Sequence, residues 1–262
     1  MPTLSAIYRY PIKSTAGEAL ATAIVTDEGL LRDRRFMVVT PDGSFVTARR
    51  HPALQRVTAR FDGEYLYLVC DDQPAITQAR QAFGEQPFET GVWADDFPAL
   101  TTTFALDAWF SRIVGEPVHL LWLGERSARY RESIGTRVSF ADGYPLLLTN
   151  TASLADVNAR TDGSHVMAQF RPNVVVDGPG AFAEDEWRRI RIGDVIFRVA
   201  KPCARCVMIT VDPERGERRD DGEPLRTLTR YRKRGKDILF GQNLIAENSG
   251  SLTLGDTVEV LE

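Results

Sequence analysis

Cysteine, histidine and long apolar runs are scarce in this chain, and each scarcity excludes something. Three cysteines in 262 residues, an odd number, make no disulfide framework and fit a reducing cytoplasm, the expected location. The three histidines, His51, His119 and His165, show no spacing that completes a zinc knuckle with cysteine. No apolar run approaches the ~20 residues that cross a bilayer. The N-terminus, Met1-Pro2-Thr3-Leu4, lacks both the basic start and the apolar core of a secretory signal, so no membrane partner is expected. Positive charge is also in deficit. Lys and Arg number 32 against 36 Asp and Glu, a net charge of −4, which argues against a nucleic-acid partner.

What is present is ordinary in amount but uneven in placement. Hydrophobic residues at 43% and charged residues at 26% describe a soluble globular chain, long enough for two modest domains. The arginines cluster (Arg32, Arg34, Arg35; Arg49, Arg50; Arg188, Arg189, Arg191), which leaves room for a local anionic ligand on an acidic protein. Pro41-Asp42-Gly43 and Asp62-Gly63-Glu64 each separate two strand-like runs and predict hairpins. The first ninety residues therefore read as short antiparallel strands of a small barrel or sandwich. Near residue 100 the pattern shifts. Residues 104–114 have helical spacing and end at Gly115, a helix is expected from Ala152, capped by Asn150 or Thr151, and another from Pro224 to Arg232. The expected class is mainly β with a few helices, divided into residues 1–97 and 98–262.

Chemistry concentrates in Lys201-Pro202-Cys203-Ala204-Arg205-Cys206, which holds two of the three cysteines. It is expected on a tight turn between two strands, Asp194–Ala200 and Val207–Val211. Cationic neighbours such as Lys201 and Arg205 favour the thiolate, the reactive and metal-binding form. A lone Cys-x-x-Cys is also compatible with a zinc knuckle, a thioredoxin-type pair or two buried structural cysteines. The zinc reading lacks two further ligands, the redox reading lacks its helix, and the structural reading leaves Lys201 and Arg205 unexplained. Other polar groups recur where apolar strands end: Lys13 and Ser14, Asn150, Thr151 and Ser153, Arg171 and Asn173. Each alone reads as a turn residue or cap. Together they suit phosphate and a heterocycle, because Lys and Arg bind phosphate by charge, hydroxyls and helix-start N–H groups donate to it, and Asn both donates and accepts.

Cys203-Ala-Arg-Cys206, Thr210-Val-Asp-Pro213 and Gly216, with Phe170-Arg-Pro-Asn173 upstream, resemble the molybdenum cofactor sulfurase C-terminal (MOSC) domain. Tyr10-Pro-Ile-Lys-Ser14, Gly29–Arg34 and Val46–Arg49 are similar to the β-barrel domain that precedes it, and the whole is most like the mitochondrial amidoxime-reducing component and its bacterial relatives. The resemblance implies a small N-terminal β-barrel packed on a MOSC β-barrel, with a molybdenum cofactor (Mo-molybdopterin) in a cleft between them. It implies an oxidoreductase for small N-hydroxylated substrates: amidoximes, hydroxylamines and N-hydroxylated bases. Cys206 becomes the molybdenum ligand and catalytic residue, and Lys13, Ser14, Arg34, Thr151, Ser153, Arg171, Asn173, Ala204 and Arg205 become cofactor contacts. Some bacterial relatives carry a four-cysteine ferredoxin-like domain. No cysteine follows Cys206 here, so a separate ferredoxin-type or cytochrome-type electron donor is expected. Asp212 is a candidate proton donor by sequence proximity and equally a turn residue. The alternative function is a cofactor carrier or sulfur-transfer module without turnover of its own.

Overall fold

Runs rich in β-branched and aromatic residues pair into a nine-stranded sheet in a computed structural model that describes residues 1–161, 163 and 165–262. Its order is Glu18–Leu20, Thr3–Arg9, Val174–Asp177, Leu146–Asn150, Asp237–Ala246, Val195–Arg205, Arg189–Ile192 and Val258–Val260, with Lys233–Arg234 paired to Asp237–Ala246 off that path. A bridge between Thr3 and Thr257, and a 2.9 Å bond from Leu4 N to Asp256 O, tie the sheet back on itself as a barrel. Leu4, Ile7, Leu148, Val174, Ile190, Phe197 and Leu244 fill its interior. Among the described strands of this sheet, Leu146–Asn150 and Val174–Asp177 run parallel and the other pairs antiparallel, and a parallel pair needs a crossover. Of the three α-helices among the described residues, α1 (Phe104–Val114), α2 (Thr151–Ala159) and α3 (Leu225–Tyr231), α2 lies within that crossover.

The other lobe holds two antiparallel sheets. One orders Phe36–Val39, His119–Trp122, Asp95–Thr101 and Pro87–Val92; the other orders Thr58–Phe61, Tyr65–Cys70 and Gln73–Ala79. Phe36–Val39 is buried on both faces. Phe36 and Val38 join a core with Trp109 and Leu120, while Met37 and Val39 join a second core with Phe97 and Phe140. α1 closes the first core. Thr103 accepts from Leu106 N at its start, and Gly115 ends it at φ +83°.

Three sequence expectations are corrected. The division at 97/98 cuts the strand Asp95–Thr101, and His119–Trp122 pairs with Phe36–Val39 beyond it. Thr3–Arg9 meanwhile lies in the large barrel, so the chain crosses between lobes more than once. Residues 207–210 form a 3₁₀ turn, with only Val211–Asp212 extended. Tertiary packing wins there over β propensity, because Ile209 is buried with Val157, Phe170, Leu228 and Phe240. Among the described residues, no helix is long and apolar enough to cross a membrane.

Candidate active site

The strand Val195–Arg205 runs through Pro202 and Cys203, so Cys203 lies in a strand rather than on a tight turn, while Cys206 follows the strand and opens the 3₁₀ turn 207–210. Proline supplies no N–H to a ladder and is tolerated at bulges. Here the register slips twice, between Val199 and Lys201 and between Pro202 and Ala204. At the second slip the partner strand spends an extra residue at Phe240-Gly241. Gly241 has φ +78°, and a Cβ there would lie 2.5 Å from Leu148 O, so glycine is required. The bulged strand ends with Cys203 half-buried and Cys206 exposed, both as free thiols.

Cys206 opens on a cleft of about 850 Å³, counting its solvent-open mouth. Lys13, Arg34, Arg49, Arg171 and Arg205 line it against one carboxylate, Asp142. Ser14, Asn173, Ala204, Phe140, Tyr144 and Met208 complete most of the wall. Arg49 Nε donates to Cys206 Sγ at 3.3 Å, and its terminal nitrogen lies 2.5 Å from Asp142 Oδ2. Burial opposes the Arg49 charge, but Asp142 and Cys206 outweigh it and raise its pKa. Asp142 also pairs with Lys13, whose Nζ donates to Phe140 O at 2.8 Å. Burial raises the Asp142 pKa, yet Lys13 and Arg49 together hold it well below the usual carboxylate range.

The cations are anchored by buried contacts. Arg34 donates to Asn173 Oδ1 at 2.9 Å and to Asp33 at 2.5 Å. Arg171 donates to Thr15 O at 2.5 Å. The two guanidiniums flank the Tyr10 ring, with Cζ 4.4 and 4.2 Å from its centroid. Burial lowers the Arg171 pKa to about 10. Ser14, Arg34 and Arg171 all take positive φ (71°, 47° and 55°), a left-handed backbone uncommon for such residues. Three such positions around one cleft fit strain held at a functional site. Arg205 donates to Cys203 Sγ at 3.0 Å and Phe170 O at 2.7 Å, but its buried Nε has no partner among the described residues.

Of the ten residues singled out in the sequence, eight line this cleft: Lys13, Ser14, Arg34, Arg171, Asn173, Ala204, Arg205 and Cys206. Thr151 and Ser153 do not. They follow the far end of Leu146–Asn150, whose first two residues line the cleft, and four residues of strand carry the chain about 13 Å. Thr151 bonds the Asp177 carboxylate instead, and buried Ser153 donates to Glu184 Oε1 at 2.7 Å while accepting from Phe182 N at 2.8 Å. Ser153→Ala is therefore expected to lower stability by about 1–3 kcal/mol, through a buried carboxylate stripped of a donor, without changing ligand retention in the cleft. Thermal unfolding beside a metal assay checks both. Asp212 serves a turn, accepting from Glu214 N and Arg215 N at 2.9 and 3.0 Å. Asn173 lines the cleft with its amide engaged, since Oδ1 accepts from Arg34 and from Leu147 N at 3.2 Å and Nδ2 donates to Tyr8 O at 3.2 Å. The sequence reading missed Arg49 and Asp142 as site residues. Arg49 showed only within the Arg49, Arg50 cluster and the Val46–Arg49 run, and Asp142-Gly143 reads as an ordinary turn.

Lys13 is buried, and desolvation lowers its pKa to about 8 despite Asp142. Its ammonium is present below that pH and lost above it. Binding of sulfate, an anion of fixed charge, is expected to weaken roughly tenfold between pH 7.5 and 9.5, and Lys13→Arg to remove the dependence. Calorimetric titration reads both. Stability moves the other way. The unfolded chain keeps this proton to about pH 10.4, so folding gains as pH rises from 8 toward that value.

A cleft lined by five cations and one carboxylate, with an exposed thiol just past the end of a bulged barrel strand, has the chemistry to attract an anion and to offer a soft sulfur ligand. Residues 1–117 match the MOSC N-terminal beta barrel domain and residues 135–259 the MOSC domain. The chain is 31% identical to mitochondrial amidoxime-reducing component 1 of Homo sapiens, over 99% of this chain and 83% of that protein. It is 33% identical to mitochondrial amidoxime reducing component 2 of Rattus norvegicus, over 98% of this chain and 82% of that protein. The chain belongs to the MOSC domain family, with the mitochondrial amidoxime-reducing components among its relatives.

Proposed function

We propose that the protein is a molybdenum-dependent reductase of small N-hydroxylated compounds, served by a separate ferredoxin-type or cytochrome-type donor in the cytoplasm. The observation that carries this reading is the exposed Cys206 sulfur beside Arg49, in a cleft with five cations and one carboxylate. The residues suit the cofactor. The partnerless buried Nε of Arg205 awaits an acceptor, and the excess of cations suits a phosphate tail. Among the described residues no group of three His, Cys, Asp or Glu could hold a metal, so a metal at Cys206 needs ligands from outside the protein, as a pterin dithiolene provides. Cys206 would hold molybdenum, and Lys13, Arg34, Arg171 and Arg205 the anionic tail.

When bound, the cofactor supplies the two-electron redox chemistry. The overall change, an N–OH compound to its amine or amidine plus water, also takes two protons. Lys13, with its pKa at about 8, holds a proton near neutrality, and Asp142 links it to Arg49 beside the sulfur. Arg49 would orient the polar N–O group by donation, while Phe140, Tyr144 and Met208 add apolar surface to the cleft lining. Protein from a molybdenum-replete host, reduced by an artificial donor, is expected to convert benzamidoxime to benzamidine. Full molybdenum content with no turnover would favour a carrier.

A further inference from the structure

The hairpin between Pro87–Val92 and Asp95–Thr101 turns on two residues, Trp93 and Ala94, since Val92 pairs with Asp95. Trp93 takes φ +61°, at a position where tight hairpin turns need positive φ and glycine normally serves. It is also 59% exposed, whereas Trp109, Trp122 and Trp187 are buried. A strained backbone and an exposed indole at one residue point to function rather than stability.

The ring is held in place by its neighbours. Phe45 meets it edge-on at 5.3 Å, and the Arg49 guanidinium carbon lies 4.8 Å from its centroid. Arg49 is the residue whose Nε lies 3.3 Å from Cys206 Sγ. With one guanidinium bond of about 1.3 Å between Nε and Cζ, the indole centre lies within about 9.4 Å of the sulfur. A second cavity, lined by Phe45, Val46, His51, Trp93 and Glu116, adjoins the cleft and shares Arg49 with it.

We propose that Trp93, braced by Phe45 and Arg49, is a stacking shelf for the planar aromatic part of the substrate, so that the site prefers aryl amidoximes and N-hydroxylated bases to small aliphatic hydroxylamines. This rests on the reductase reading of the cleft. Trp93→Gly relieves the turn and removes the ring. It is expected to keep or raise the melting temperature while lowering the kcat/KM ratio for benzamidoxime over hydroxylamine about tenfold, through KM. Trp93→Phe restores most of that ratio. Independently of turnover, benzamidoxime is expected to quench tryptophan emission saturably in the parent protein and not in Trp93→Phe, whose remaining tryptophans are buried. An undiminished ratio in Trp93→Gly, or saturable quenching that persists in Trp93→Phe, overturns the shelf. Quenching confined to the parent in a protein that reduces nothing supports the shelf and sinks the reductase reading alone.

Discussion

Cys206→Ser is expected to lose benzamidoxime reduction by about a hundredfold or more, nearly 3 kcal/mol of transition-state stabilisation, together with most of its molybdenum. The fold should be unaffected. Cys206 is exposed and its Sγ contacts Arg49, a residue otherwise held by Asp142 and by stacking on Trp93. A hydroxyl can replace the hydrogen-bond acceptor but not the soft ligand. Cys203→Ser is the contrast. Cys203 is half-buried and its sulfur accepts from Arg205, so the variant is expected to keep its molybdenum. Metal analysis, steady-state reduction and thermal unfolding of both variants separate ligation from folding. Equal molybdenum in Cys206→Ser and parent would remove Cys206 from the ligand position.

Asn173→Ala is expected to fail differently, losing fold and cleft together. The buried amide joins three elements: the carbonyl of Tyr8 at the end of the first barrel strand, the N–H of Leu147 at the start of another, and the Arg34 guanidinium. Truncation leaves a carbonyl, an N–H and one charged donor without these partners, a loss of about 2–4 kcal/mol. The melting temperature should fall by about 5–15 °C. Arg34 keeps its 3.3 Å bond to Arg171 O but loses the shorter one to Asn173, so sulfate affinity in the cleft should fall as well. A variant with parental stability would show the amide to be dispensable to the scaffold.

Residues whose chemistry is rare were legible in the sequence. Cys206 stood out as one of three cysteines beside cations; Lys13 and Arg171, each readable alone as a turn residue, gained weight only as a set, Arg34 came from the family resemblance, and all four line the cleft. Thr151 and Ser153 were misplaced because hydroxyls beside a helix start serve phosphate and helix structure equally, and only the direction of Leu146–Asn150 decides which end of the barrel they occupy. Asp142 was invisible because Asp-Gly marks turns of every kind; its role comes from Lys13 and Arg49, distant in sequence. The left-handed backbone at Ser14, Arg34 and Arg171 had no signal either, since local propensity assigns such conformations to Gly or Asn. The short antiparallel strands of the first ninety residues were legible from their hairpin turns, but the division at 97/98 was not, because it cuts the strand Asp95–Thr101. The place of Thr3–Arg9 in the large barrel was not legible, because sheet closure through Thr3 and Thr257 joins the two ends of the chain.

The Cys206 sulfur, exposed on the cleft, is expected to be open to reagents in cofactor-free protein and covered when the cofactor is bound. Alkylation with a maleimide, mapped by peptide mass, measures that directly on cofactor-free and molybdenum-loaded protein. Rapid labelling of Cys206 in the free protein and protection in the loaded protein is the predicted result, with buried Cys70 slow in both. Equal labelling of Cys206 in the two forms would contradict it.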